Sequence, residues 1–333
     1  MVSPLKAAPG QTLEGRFLLL EEIGRGGMST VFKASDLANE RQPVAVKVPL
    51  PLYASGIGSW SLFQREAEIG ATLAHPYVLR FIPLAPSKHR GHVVTEYLAG
   101  MTLSAHIADG KPLPEPEALR VMSRLCEAVA YLHGRRIVHY DLKPANVMLC
   151  DDGSIRLIDF GMAHRIERSR LAFAGPGPPM ASAAYVAPEQ IRRKRGQPSV
   201  DIYALGAMLY ELLTGHPPFE GDDPFVVASA RQIGDPKAPR ALNPAVSEQA
   251  EEIVLRAMRR DPTDRYASAA ELKADLDRPA QVRVSGLADH LVAVTRWRKH
   301  ARWIRFVALV AVGPLAFLVV SFRLLWWYLE QKR

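Results

Sequence analysis

The chain has 333 residues, of which 48% are hydrophobic and 23% charged, and a formal net charge of +8. These proportions exclude a disordered or collagen-like polymer and leave ample apolar chain for a sizeable core in about two packing units. Residues 280–333 hold nine Lys/Arg against Asp289 and Glu330, a net +7 that leaves only +1 for residues 1–279, so a uniformly basic nucleic-acid-binding protein is excluded.

Residues 1–11 carry two prolines and no apolar run, unlike a secretory signal. Phe17 to Val48 alternates short apolar runs with glycine-rich turns and predicts strands. Pro51 to Ser61 predicts a loop and Leu62 to Leu73 a helix. Val78 to Ile82 and His92 to Tyr97 predict two further strands, joined by the polar turn 87–91. Helical spacing dominates from Glu115 onward. Glu117 to His133 places Leu119, Met122, Leu125, Cys126, Val129 and Leu132 on one face. Val147 to Leu149 and Ile155 to Ile158 flank the turn Asp151 to Ser154. Phe173 to Met180, rich in Gly and Pro, predicts a mobile loop. Ile202 to Leu213, Ser247 to Met258 and Ala267 to Leu276 predict more helices, and no internal repeat interrupts the pattern. The two cysteines, Cys126 and Cys150, sit among aliphatic residues. They read as buried small hydrophobes in a reducing compartment.

Four features carry chemistry. The first is the turn Ile23-Gly-Arg-Gly-Gly-Met-Ser-Thr-Val31 between two strand patterns, where glycines let backbone N–H groups approach phosphate oxygens. A Rossmann site is excluded, because strand rather than helix follows the glycines. The second is Lys47, in the middle of the apolar strand Val44-Ala-Val-Lys-Val48. The third is Glu66, whose neighbours at −3, +4 and +7 are Phe63, Gly70 and Leu73. A carboxylate on that packing face needs a partner, and Lys47 is the natural one. Glu68 shares its face with Gln64, Arg65 and Thr72 and reads as solvated. The fourth is the density of polar groups in His139, Asp141, Lys143 and Asn146, followed by Asp159-Phe-Gly161. Two carboxylates and an amide suit a hard, oxygen-preferring Mg²⁺ and a hydroxyl nucleophile. Cys/His metal spacing is absent from the sequence.

In this combination the chain resembles the protein kinase family. It is most similar to the bacterial, eukaryotic-like serine/threonine kinases, in which a GxGGMS loop is common. The resemblance runs from about Phe17 to Leu276. It implies an α+β, two-lobed kinase fold, with a small β-rich lobe over 17–98 and a larger helical lobe over 99–278, and with ATP and Mg²⁺ between them. The backbone of Gly24, Arg25, Gly26, Gly27, Met28 and Ser29 would cover the phosphates. Lys47, held by Glu66, would bind the α- and β-phosphates. Asp141 would orient the substrate hydroxyl and take its proton, Lys143 would neutralise charge on the γ-phosphoryl group, and Asn146 and Asp159 would hold Mg²⁺. Thr95 would be the gatekeeper, the backbone of Glu96 and Leu98 would meet adenine, and Ile23, Val31, Ala45 and Met148 would sandwich its ring. In structural roles, Glu189 of Ala187-Pro-Glu189 would pair with Arg265, and Asp201 would brace the catalytic loop. Lys143, two residues past Asp141, and Ser182, seven before Glu189, follow the serine/threonine pattern, so the substrates implied are Ser/Thr hydroxyls of proteins.

The sequence departs from the family at Tyr140, where an arginine is usual, and at Ala181 and Ala184, which flank Ser182 in place of the usual Gly-Thr-Pro pattern. Residues 171–181 contain no Ser, Thr or Tyr, although Ser169 precedes them. Activity is therefore expected not to need phosphorylation in that stretch, with the loop held by packing of residues such as Tyr140. A pseudokinase-type membrane scaffold is disfavoured by the presence of Lys47, Asp141, Asn146 and Asp159 together. A small-molecule kinase is disfavoured by the Ala-Pro-Glu segment.

The tail predicts an anchor. Phe306 to Phe322 is 17 residues without a charge, about 26 Å of helix against a hydrocarbon core of roughly 30 Å. Arg323 can snorkel, and Trp326, Trp327 and Tyr328 can sit at the interface, extending the span to 306–328. The basic stretch Arg296 to Arg305 biases the N-terminal bulk to the cytoplasm, and Gly286 to Arg305, within a linker over 279–305, is expected to lie on anionic lipid as a basic amphipathic helix. The expectation is a single-pass protein of the cell (inner) membrane. Only 323–333 follow the apolar run, so no ligand-sensing ectodomain is expected. A homodimer is compatible with this reading, and nucleic acid is not among the expected partners.

Overall fold

In the first hundred residues, inward apolar side chains alternate with polar ones at the two-residue period of a half-buried sheet. A computed structural model describes residues 7–26, 29–50, 57–84, 91–166, 183–191, 197–221 and 223–293, with 57–62 and 224–225 by backbone alone. Strands β1 (Thr12–Leu13), β2 (Phe17–Arg25), β3 (Ser29–Asp36), β4 (Gln42–Pro49) and β5 (Val93–Glu96) form one antiparallel sheet in sequential order. Phe17, Leu19, Phe32, Ala34, Val44, Val46, Val48 and Val94 build a core on one face. Alternation therefore sends Ala45 and Lys47 to the other face. There Val31 pairs in register with Lys47, and Ala45 with Thr95.

Helix α1 (Ile57–Gly70) starts earlier than the sequence predicts, within the segment expected as loop. Gly58 near its start signals a turn, but a helical glycine costs only ~1 kcal/mol relative to alanine, too little to stop a helix. The helix closes at Gly70 and the chain tightens through Thr72 N–H to Ile69 O and Leu73 N–H to Gly70 O. Glycine is required at its end: a Cβ on Gly70 would lie 2.3 Å from the Phe81 ring. The strand expected over Val78 to Ile82 is reduced to isolated bridges, Val78 with Leu157 and Phe81 with Thr95. Its hydrogen bonds divide between two partners, Leu79 donating to Leu157 and Ile82 to Val94, so no continuous ladder forms. Residues 85–90, and with them most of the expected turn, lie outside the described residues.

The second region comprises β6 (Gly100–Thr102), α2 (Leu103–His106), α3 (Glu115–Gly134), β7 (Ile137–Val138), β8 (Val147–Cys150), β9 (Ile155–Leu157), β10 (His164–Arg165), α4 (Pro188–Ile191), α5 (Ser199–Thr214), α6 (Pro224–Ile233), α7 (Pro239–Leu242), α8 (Glu248–Ala257) and α9 (Ala269–Asp277). The short strands pair as β6-β8-β9 and β10-β7. Helix α5 is buried on nearly every face, which its almost continuous apolar sequence dictates. Gly206 lets it approach α8, because a Cβ there would fall 2.7 Å from Ala257 Cβ. The predicted apolar face of α3 is buried at every position named above, Cys126 included. Cys150 is only half-buried, since it ends β8 beside the exposed turn 151–153.

Residues 279–293, the start of the expected linker, lie against the helical region. Glu252 of α8 accepts from the N–H groups of Ser285 and Leu287, and Asp235 exchanges bonds with Val292. Among the described residues no helix is long and apolar enough to cross a membrane. The run Phe306 to Phe322 and the Gly/Pro-rich stretch 173–180 lie outside the described residues.

Candidate active site

The strand period aims Lys47 away from the sheet core, and α1 brings Glu66 opposite it. Lys47 Nζ lies 2.7 Å from both Glu66 oxygens and 3.8 Å from Asp159 Oδ1. Glu66 is 4% exposed. Burial alone would lower the Lys47 pKa, but the charges of Asp159 and Glu66 outweigh it and raise it. Burial raises the Glu66 carboxyl, with Lys47 opposing. Glu68 is exposed, as its face predicts.

The loop after β7 is built on a buried carboxylate. Asp201, in the first turn of α5 and 1% exposed, accepts from the N–H groups of His139 at 2.9 Å and Tyr140 at 3.0 Å. His133 Nε2 lies 2.8 Å from the same carboxylate. Burial pushes the Asp201 carboxyl up, and the bond and charge of His133 more than reverse that. Tyr140 has φ +67°, a left-handed conformation that costs a non-glycine residue ~1–2 kcal/mol and is held here by the two bonds to Asp201.

Asp141 follows. Its Oδ2 accepts from Lys143 Nζ at 2.7 Å and Asn146 Nδ2 at 3.3 Å, while its carbonyl accepts from Asn146 at 2.8 Å. Oδ1 of Asp141 is buried without a hydrogen-bond partner among the described residues. The turn Pro144–Asn146 folds the loop back, and Ile158 N–H donates to Asn146 O at 3.0 Å. That bond sets Asp159, just past the β8–β9 hairpin, beside the loop. Gly161 N–H donates to Asp159 Oδ1 at 2.9 Å. Burial pushes the Asp159 carboxyl up, but Lys47 and this N–H hold it below its ordinary value. Both bonds from Asn146 use its amide nitrogen, leaving the amide oxygen, with the Asp159 carboxylate, as an oxygen donor set of the kind Mg²⁺ takes alongside phosphate and water.

Residues 17–276 match the protein kinase domain family. The chain belongs to the protein kinase family. It is 34% identical over 267 residues to the serine/threonine-protein kinase PrkC of Bacillus subtilis (strain 168), covering 80% of this chain and 41% of that protein. It is 36% identical over 270 residues to the serine/threonine-protein kinase PknB of Mycobacterium tuberculosis (strain ATCC 25618 / H37Rv), covering 80% and 43%. The chain thus spans about two-fifths of the length of the curated relatives it matches.

The kinase motifs expected around a nucleotide map onto one side of the sheet. Gly24 and Arg25 pair with Val31 and Thr30, and Gly26 N–H closes the turn on Ser29 O at 2.8 Å. Gly27 and Met28 lie outside the described residues. The Arg25 guanidinium bonds Glu22 on the exposed surface. Ile23 is exposed, Val31, Ala45, Leu98 and Met148 are half-buried, and Thr95 is buried with its hydroxyl donating to Glu96 O. Glu96 accepts from Arg80 N–H at 2.9 Å. The kinase pair Glu189–Arg265 forms at 2.6 Å, with the Arg265 side chain wholly buried.

Where this chain departs from the family pattern, packing replaces charge. The Tyr140 ring meets His164 of β10 edge to face at 5.7 Å, and Arg65 of α1 lies 3.0 Å from His164 Nε2. Burial and the Arg65 charge push His164 down to about 4. The sequence did not point to this contact, although Arg65 one residue before Glu66 was a available signal. Ser169 and Ser182 lie outside the described residues.

Proposed function

We propose that the chain is an ATP-dependent protein kinase that transfers the γ-phosphoryl group to Ser/Thr hydroxyls of proteins. The observation that carries this reading is Asp141. One of its oxygens is saturated by Lys143 and Asn146, and the other is buried and unused. Such a carboxylate suits a hydroxyl proton that needs an acceptor as attack begins. Lys143 shields the charge on the transferring group. Lys47, fixed by Glu66, takes the α- and β-phosphates, with the backbone of residues 24–29 covering them. Val31, Ala45, Met148 and Ile23 line the adenine, and Thr95, Glu96 and Leu98 form its inner edge. Asn146 and Asp159 hold Mg²⁺, which supplies charge neutralisation on the phosphates. The names of the relatives support serine/threonine specificity. Transfer of ³²P from γ-labelled ATP to casein tests the reading. Wild type labels casein and Asp141→Asn does not; equal labelling by both would refute it.

We further propose that the kinase is tethered to the cell membrane by a helix over 306–328, with the domain over 17–278 in the cytoplasm. The support is the uncharged run of 17 residues, its Trp/Tyr flank and the basic stretch before it. Full-length protein should sediment with membranes and need detergent for release. Recovery in the soluble fraction without detergent would refute the tether.

A further inference from the structure

Helix α6 carries a buried cation that neither the nucleotide-side machinery nor the carboxylate cluster uses. Arg231 has 0% exposure. Its Nη1 donates to Val186 O and its Nη2 to Ala183 O. Its guanidinium carbon sits 5.4 Å from the centroid of the Phe219 ring. Among the described residues its Nε has no hydrogen-bond partner and no carboxylate lies within ion-pair distance of it. Burying a guanidinium without a counter-ion is costly. Two backbone carbonyls and an aromatic face offset part of that cost, and the result is a stiff fork under the chain at 183–186.

That stretch leads directly to the carboxylate that carries the chemistry. Ala187 N–H donates to Gln190 Oε1 at 2.8 Å, and Gln190 Nε2 donates to the carbonyl of Tyr140 at 3.2 Å. Tyr140 immediately precedes Asp141. The far end of the stretch is fixed by Glu189 to Arg265, and Tyr185 donates to Glu211 at 2.6 Å. Segment 183–190 is thus a wall bonded to the residue before Asp141, and Arg231 holds its start through main-chain carbonyls. The nucleotide-side groups Lys47, Glu66, Asn146 and Asp159 share no bond with this wall.

We infer that Arg231 is a positioning residue for the protein acceptor: by fixing the carbonyls of Ala183 and Val186 it shapes the wall against which the substrate chain lies while its hydroxyl meets Asp141. The inference rests on the kinase reading above. Losing the fork should weaken acceptor binding and leave ATP binding alone, which a general loss of stability would not do.

The test uses the full-length chain in detergent, with casein as acceptor, far below the unfolding temperature. Arg231→Met keeps the length and removes the donors. Its KM for casein should rise about tenfold, as for two charge-assisted bonds partly replaced by water. Its KM for ATP, and ATP hydrolysis without acceptor, should stay within about twofold of wild type. Arg231→Lys can still reach one carbonyl and should raise the casein KM by a smaller, measurable factor. If Arg231→Met does not fold, Arg231→Lys decides alone. An unchanged casein KM in the folded variant, or equal shifts in the casein and ATP constants, overturns the inference. A wild type that hydrolyses ATP but labels neither casein nor itself sinks the kinase reading and this inference with it.

Discussion

Two loops meet at Tyr140, the residue before Asp141, through the bond from Gln190, and each rests on a buried charge of opposite sign. Beneath the loop at 139–146 lies Asp201, an anion satisfied by the N–H groups of His139 and Tyr140 and by His133. Beneath the wall at 183–190 lies Arg231, a cation satisfied by the carbonyls of Ala183 and Val186. Each uses the side of the peptide dipole that matches its charge. The difference is in completeness. Asp201 has a side-chain partner as well as backbone donors, whereas Arg231 has backbone acceptors, an aromatic face and one nitrogen left over. The first arrangement pairs its buried charge more fully than the second, which leaves one buried nitrogen without a partner among the described residues.

The sharpest way to separate chemistry from support is Asp141→Asn. It leaves both buried charges in place and removes the proposed proton acceptor. Phosphoryl transfer should fall by about 10²–10⁴ with little change in unfolding temperature, and a variant retaining more than a tenth of the activity would break the assignment. Asp201→Asn attacks the anionic support. It aims an amide NH₂ at backbone donors that it cannot satisfy, and urea unfolding should show a loss of about 3–5 kcal/mol. A loss below ~1 kcal/mol would mean that the N–H bonds of His139 and Tyr140 are not what holds the loop.

Glu189→Gln turns Arg265 into a second Arg231. Its guanidinium keeps the carbonyls of Ser199, Arg259 and Arg260 but loses the carboxylate. We expect about 1–3 kcal/mol of destabilisation by chemical denaturation. No change at all would show that carbonyls alone satisfy a buried guanidinium, removing the contrast between the two supports.

The smallest effect concerns the third site under the same loops, Arg65 and His164. The folded His164 pKa is depressed to about 4 from an ordinary value of 6.5. Between those values the unfolded chain binds the proton and the folded chain does not. Its contribution is therefore fully present above pH ~6.5 and is lost as pH falls toward 4, a change of about 1–2 kcal/mol after allowing for partial exposure. Denaturation of wild type and His164→Gln at pH 7 and 5 checks this; parallel pH dependence in the two would refute it.

The parts of the site legible in the sequence share a physical reason. Glu66 interrupts a helical packing face and so announces a buried charge in need of a partner, for which Lys47, in the middle of an apolar strand and open to solvent or phosphate, is the natural candidate. Asp141, Lys143, Asn146 and Asp159 are dense in a short stretch, and density of polar groups beside apolar strands has few structural uses. Other features were not legible. Val78 to Ile82 has a strand composition but divides its hydrogen bonds between Leu157 and Val94. Ile57 to Ser61 reads as loop yet continues into α1. Helix α6 was missed, and an arginine in a helix is usually solvated, so nothing local marked Arg231 as buried.

By itself, then, the sequence determined which strands and helices could form, which charges could not remain unpaired, and which residues supply oxygen donors, because these follow from local periodicity and side-chain chemistry. Only the tertiary structure decided that Arg231 lies beneath the loop neighbouring the one that Asp201 was expected to brace, and that Tyr140 packs on His164 where the family carries an arginine. Those contacts join residues tens of positions apart, and their energies depend on burial and direction, which no local pattern encodes.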